Sequence, residues 1–242
     1  MSTFGGIVRL PWQSRNDDEA GVLEQARQVV EQTKNEGLEG RADSLVRALL
    51  EIGIDGRGPF ASAATVADRA LASSSSEEAA IGKVVRQTLA KGAAGGFVTG
   101  LGGFVTMPVA LPVNVVEFHL LATRMIAAIA KIRGYDIADP QVRTAVLLAL
   151  TGSNADEILT KAGVVVPGGR LAGLALSRLP RSAMMVINKA IGFRLAASLA
   201  RSGLSRLGKA LPAVGGAIGA GVDTFMMQRI ASFARKEFPA VH

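Results

Sequence analysis

A chain of 242 residues with 49% apolar side chains has material for one sizeable core, and the absence of cysteine excludes disulfides, zinc–thiolate centres and thiol nucleophiles. Only two histidines, His119 and His242, leave metal and Ser-His chemistry short of parts, so no cofactor and no metal is expected. The net charge of +7 is uneven, residues 1–91 carrying net −2 and residues 92–242 net +9, which asks for an anionic partner or a solvated face.

Apolar spacing of three and four recurs almost throughout, while alternation with a period of two never persists, so the chain reads as an all-α, multi-helix bundle. Residues 1–15 stand apart as a flexible or docking arm, with Ile7, Leu10 and Trp12 as its docking side chains. The other reading of this arm is a terminus that folds back on its own core. Asn16 followed by Glu19 resembles a capping box and opens a helix to about Asn35, with Val22, Ala26, Val29 and Val30 on one face. Gly37 and Gly40 close it. A second helix is expected over about 41–52 and a third over about 59–72, which completes an N-terminal helical region of residues 16–72. The serines of 73–76 then make a polar joint, and Ser75, three residues before Glu78, is the expected N-cap of the main domain's first helix.

Residues 92–116 are 25 uncharged positions containing six glycines, Pro108 and Pro112. The run is long enough to cross a bilayer, but its glycines and prolines are poor for a spanning helix. Gly92, Gly96 and Gly100 share one helical face, a flat groove for another helix, and Phe97 and Phe104 lie on a stripe away from it. With Met107, those two phenylalanines are the candidates for apolar insertion. The next helix, about 113–133, is apolar apart from Asn114, Glu117, Arg124 and Lys131, which fall within about 100° of arc. Glu117 and Arg124 are candidates for buried polar pairing with other helices, a reading that outweighs a catalytic role. His119 falls on the opposite side and reads as a satisfied core residue.

Gly134 is the expected C-cap of that helix, and Asp139-Pro140 pairs an N-cap with a first-turn proline. Further helices are expected at about 156–162, 170–179 and 181–200, and a last one at about 214–238 opens with Gly215, Gly216, Gly219 and Gly221. The two glycine-rich apolar helices are expected to pack closely together, since each alone would expose backbone for no gain. Between Ile158 and Val222 there is no acidic residue but nine cations. Arg170, Arg178, Arg181, Lys189, Arg194 and Arg201 are the candidates for binding anionic lipid. Nucleic acid is not the expected partner, because Phe193 is the sole aromatic between Val164 and Leu211 and stacking is poorly supplied.

Three blocks stand out: the glycine-rich Gly92 to Gly103; Pro112 with Arg124-Met125-Ile126-Ala127-Ala128-Ile129-Ala130 and Gly134-Tyr135-Asp136; and Pro212 to Gly219 before Ala234 and Phe238. In order and spacing they resemble the EcsC-like bacterial proteins. The match spans about Glu77 to Phe238. Arg133 stands where the family usually has tyrosine, and Asp223 where asparagine is expected. The resemblance implies a helical, membrane-associated bacterial protein working beside transport machinery, with a membrane transporter or another protein as partner and no established catalytic activity. Residues 1–20 lack a basic start followed by an apolar run, so the expected location is the cytoplasm, peripheral to the inner face of the cell membrane. The reading is thus a non-enzymatic accessory protein that binds anionic membrane lipids. Its rival is a soluble helical interaction protein that docks through its N-terminal arm.

Overall fold

The computed structural model describes residues 11–101, 103–164, 171, 173, 179–205 and 212–241, with side chains described for 20–92, 112–152, 154–164, 171, 173, 179–198 and 221–241. Among the described residues it holds nine α-helices and no strand. These are α1 (Pro11–Thr33), α2 (Leu38–Ala48), α3 (Ala63–Ala72), α4 (Glu77–Leu101), α5 (Gly103–Ile132), α6 (Pro140–Leu150), α7 (Ala155–Lys161), α8 (Arg181–Ser205) and α9 (Pro212–Glu237). A π-helical turn, Leu49–Ile54, continues α2, and a 3-10 turn, Gly152–Asn154, precedes α7.

Local chemistry explains most boundaries. Ser62 Oγ accepts from Thr65 N at 3.1 Å to open α3, and Asp139 Oδ1 accepts from Gln141 N at 2.7 Å to open α6 with Pro140 in its first turn. Gly134, at φ +93°, ends α5: its N–H bonds Lys131 O at 3.0 Å while Tyr135 N bonds Ala130 O at 3.1 Å, the paired bonds of a Schellman ending. Other expectations shift. Helix α1 starts at Pro11, so the last residues of the expected arm, Trp12 included, belong to a helix that begins ahead of the Asn16–Glu19 box. Ser76, not Ser75, caps α4, its Oγ accepting from Ala79 N at 3.2 Å. Helix α5 begins at Gly103, ten positions before the expected Val113, and carries Pro108 and Pro112 within it.

Helix α5 is the axle of the bundle. Every residue from Leu120 to Ala130 is buried, and α1, α3, α4, α6, α8 and α9 all pack on it. A helix apolar on every side but one narrow polar stripe requires such an enclosure. The segment Pro112–Ile132 is long and apolar enough to cross a membrane, yet its apolar 18-residue window is 78% buried inside the protein, so its hydropathy is satisfied by the core. The serine joint separates helices, not cores: Val22 and Ala26 of α1, Leu45 of α2 and Ala67 of α3 belong to one apolar cluster with α5.

End-to-end contacts set the directions of the long helices. Arg133, just past α5, pairs with Glu77 at 3.6 Å and with Glu78 at the start of α4, so α4 and α5 form an antiparallel hairpin. Asn114 Nδ2 donates to Asp223 Oδ2 at 3.4 Å, and Val241 N donates to Arg133 O at 2.9 Å, so α9 runs parallel to α5 and antiparallel to α4. Helices α4 and α9, the glycine-rich pair, do pack on each other. At Gly92 and Gly221, however, an added Cβ would meet nothing within 4 Å, so neither is a point of close helix approach. Gly96, Gly100, Gly215, Gly216 and Gly219 lie where the backbone alone is described. The tightest glycine approach between described helices is Gly192 of α8, where a Cβ would stand 2.6 Å from Ala42 O of α2.

Candidate functional site

The expected cationic surface can be traced residue by residue. Lys189 donates to Glu39 of α2; the hydrogen bond and charge of the ammonium hold the Glu39 carboxyl below the usual carboxylate range, and Glu39 raises the Lys189 ammonium in return. Arg194 lies 3.4 Å from Glu157 of α7, which also takes Lys161 at 2.7 Å. Arg181 is exposed at the first turn of α8. Arg201 lies in α8 where only backbone is described, and Arg170 and Arg178 lie outside the described residues. The stretch without acids in sequence therefore meets acids in space, and two of its candidate lipid-binding cations already have carboxylate partners.

The polar positions of α5 are distributed through the core. Glu117 and Arg124 are each 3% exposed. The Arg124 guanidinium stacks 3.9 Å above the Phe60 ring and its Nη1 donates to Ala61 O at 3.3 Å, binding the loop before α3 to the axle. Burial pulls its pKa down to about 9, so it stays protonated at neutral pH. Lys131 pairs with Asp68 of α3 at 3.4 Å. His119 Nδ1 lies 2.7 Å from Val115 O and the ring lines a small apolar cavity with Leu45, Ala48, Leu49, Val116 and Leu195. Among the described residues no three His, Asp or Glu side chains are grouped to hold a metal.

The apolar candidates converge on one end of the bundle. Phe97 lies in α4, and Phe104 and Met107 in α5, close to the end of α4 and the start of α5, and their side chains are outside the described set. Because α9 is parallel to α5, its uncharged first stretch, residues 212–222, stands at that same end. The nearest cations on the two outer limbs are Lys91 and the exposed Arg86 on α4 and the exposed Arg229 on α9. Asp223, at the same level, is half-buried and held by Asn114. Ile7 and Leu10 lie outside the described residues, and Trp12 is placed by its backbone alone in α1.

A set of residues passed over in the sequence completes this end. Val222, Phe225 and Met226 of α9 are 47%, 58% and 45% exposed. Their spacing of three and four is a helical stripe, and the cue lay in the sequence Val222 to Met226, where large apolar residues follow the glycines on the face opposite buried Met227 and Ala231.

The family model for the EcsC protein family matches residues 19–239. The chain belongs to the EcsC family. The EcsC match begins in α1, so the family unit includes the N-terminal helices and reaches well ahead of the three blocks that carry the resemblance, as the shared core of α1, α2, α3 and α5 requires. No curated protein and no solved structure matches this EcsC chain.

Proposed function

We propose that this EcsC family protein is a non-enzymatic accessory protein that docks on anionic phospholipid from the cytoplasmic side, pressing the uncharged end of α4, α5 and α9 into one leaflet. The observation that carries this reading is the convergence: residues 92–116 and 212–222, none of them charged, occupy the same end of the bundle. At about 1.5 Å per residue, the α4 limb from Gly92 to Leu101 is roughly 15 Å long. One leaflet of hydrocarbon is also about 15 Å deep, half of a core of about 30 Å, so the end suits insertion into a single leaflet rather than a crossing. Helical limbs satisfy their own backbone hydrogen bonds, which lipid demands. Below the tip, Arg86 and Arg229 stand where phosphates would be, and each cation near an anionic surface adds about 1 kcal/mol. Held there, the protein is placed to work beside transport machinery in the same bilayer, the role implied by the family resemblance.

Flotation of the purified protein with vesicles tests the reading. Binding is expected to phosphatidylcholine vesicles containing phosphatidylglycerol, weakening as salt rises, with little binding to phosphatidylcholine alone. Phe104→Asp, with an unchanged circular dichroism spectrum, should lower partitioning roughly a hundredfold, because a carboxylate at bilayer depth costs about 2.5–3.5 kcal/mol. Binding to neither vesicle overturns the proposal, and equal binding to both overturns its electrostatic half.

A further inference from the structure

Helix α9 changes character along its exposed face. Taken at 100° per residue, Val222, Phe225, Met226 and Arg229 fall within about 100° of arc, opposite the buried Met227, Ala231 and Ala234. Among the described residues, the exposed side chains of this helix are large and apolar at Val222, Phe225 and Met226, and polar or basic from there on, at Gln228, Arg229, Ser232 and Lys236. Single exposed apolar residues need no explanation, but three large ones on one stripe ending in a cation form an ordered patch. The Arg229 guanidinium lies 5.9 Å from the Phe225 ring centroid, so the cation marks the lower edge of that patch.

The level of this transition is fixed by neighbouring helices. Asn114 holds Asp223, so Phe225 stands about two residues beyond Asn114 in the common direction of α5 and α9. Asn114 is eleven positions past the start of α5, which puts Phe225 roughly 17–20 Å along the axis from that start at about 1.5 Å per residue. Lys91 on α4, the first charge behind the tip, is about 15 Å from the end of α4 at Leu101 by the same count. Apolar exposure on α9 therefore ends where charge begins on α4.

We infer that Val222, Phe225 and Met226 form the interfacial anchor of the membrane-docking end, with Phe225 at the boundary between acyl chains and headgroups and Arg229 on lipid phosphate. The inference rests on the proposed function and adds to it α9 as the element that sets insertion depth. The occupant is a phospholipid surface, because the patch is continuous with an uncharged end and bounded by a cation at headgroup level. Helices seated at that boundary bury phenylalanine on their apolar face, and a long cation reaches from it to phosphate.

A single-tryptophan protein makes the inference measurable. Trp12 is the one tryptophan in the chain, so Trp12→Phe supplies a silent background for Phe225→Trp and, separately, Phe104→Trp. With vesicles of phosphatidylcholine and phosphatidylglycerol, the probe at 225 is expected to shift to the blue and to be quenched more by lipids brominated near the carbonyl than by lipids brominated deep in the chain. The probe at 104 should show the opposite preference. Arg229→Glu should weaken binding to the mixed vesicles about thirtyfold, from about fivefold per charge, and leave binding to phosphatidylcholine unchanged. A silent probe at 225 beside a responsive probe at 104 overturns the anchor and leaves the docking end standing, whereas two silent probes overturn both. Deep quenching at 225, or unchanged binding by Arg229→Glu, also overturns the inference. Met226→Trp repeats the measurement on the same stripe should Phe225→Trp fail to fold.

Discussion

His119 shows how one side chain ties stability to pH. A backbone carbonyl can only accept, so the contact with Val115 O at 2.7 Å makes Nδ1 the protonated nitrogen of the neutral ring. The neighbouring side chains are apolar, and Phe118 meets the ring edge-on at a centroid distance of 5.5 Å. Loss of solvation in this setting lowers the His119 pKa, with the Val115 bond a smaller opposing effect. Below about pH 6.5, the unperturbed value, the unfolded chain therefore takes up a proton that the folded chain resists. The neutral ring's full contribution is present above that pH and is lost as pH falls, at no more than about 1.4 kcal/mol per pH unit. Urea unfolding should show a lower midpoint at pH 5.5 than at pH 7.5, and His119→Gln should flatten that difference. An equal pH response in the variant would dissociate the effect from His119. The sequence already marked His119 as a core residue because helical periodicity places it among Val115, Leu120 and Ala122. It could not show that Arg124 reaches Phe60 and Ala61, the latter 63 positions earlier, since that contact depends on how a loop crosses α5.

Between elements, the decisive contacts join distant parts of the chain. Lys189 and Gly192 of α8 sit on Glu39 and Ala42 of α2, so the two helices run parallel at close range. At Gly192 a methyl group would stand 2.6 Å from Ala42 O and 3.0 Å from Val46 Cγ2, and a helical backbone has little room to yield. Gly192→Ala should therefore destabilise the protein by about 1–3 kcal/mol, the range for overpacking, despite the better helix propensity of alanine. Gly92→Ala is the matched comparison, because nothing lies within 4 Å of its Cβ position in α4, and it should be neutral or stabilise by up to about 1 kcal/mol. Chemical denaturation of both variants checks the pair, and equal effects would refute the close approach of α8 to α2. Glycine spacing drew attention to Gly92, Gly96 and Gly100, yet the tight described approach is a lone glycine whose obstacle lies 150 positions away. Caps such as Asp139-Pro140 and Gly134 were legible because the groups they satisfy lie within five residues. The acid-free run was legible as composition only, since Glu39 and Glu157 reach it from α2 and α7.

At the scale of the molecule, the question is whether the N-terminal helical region, residues 16–72, and the domain beyond the serine joint at 73–76 share one core. Val22 and Ala26 of α1, Leu45 and Leu49 around α2, and Ala63 and Ala67 of α3 are all buried in the cluster that includes Leu121, Ala122 and Met125 to Ala130 of α5. Polar ties cross the same line: Arg143 of α6 bonds both Asp55 oxygens, at 2.8 and 2.7 Å, and Leu50 O at 3.0 Å. Removing α1 to α3 would expose a face of the axle whose apolar area holds the fold together at about 25 cal/mol per Å². Neither part then has a complete core without the other, and elements that share a core open together. Native-state hydrogen exchange should give amides of Val22–Ala26, Leu45–Ala48 and Leu121–Ala130 one common opening free energy, with the same urea dependence in all three. A separate, lower-energy opening of Val22–Ala26 and Leu45–Ala48, with Leu121–Ala130 still protected, would instead make the N-terminal helices an independent unit resting on a self-sufficient bundle.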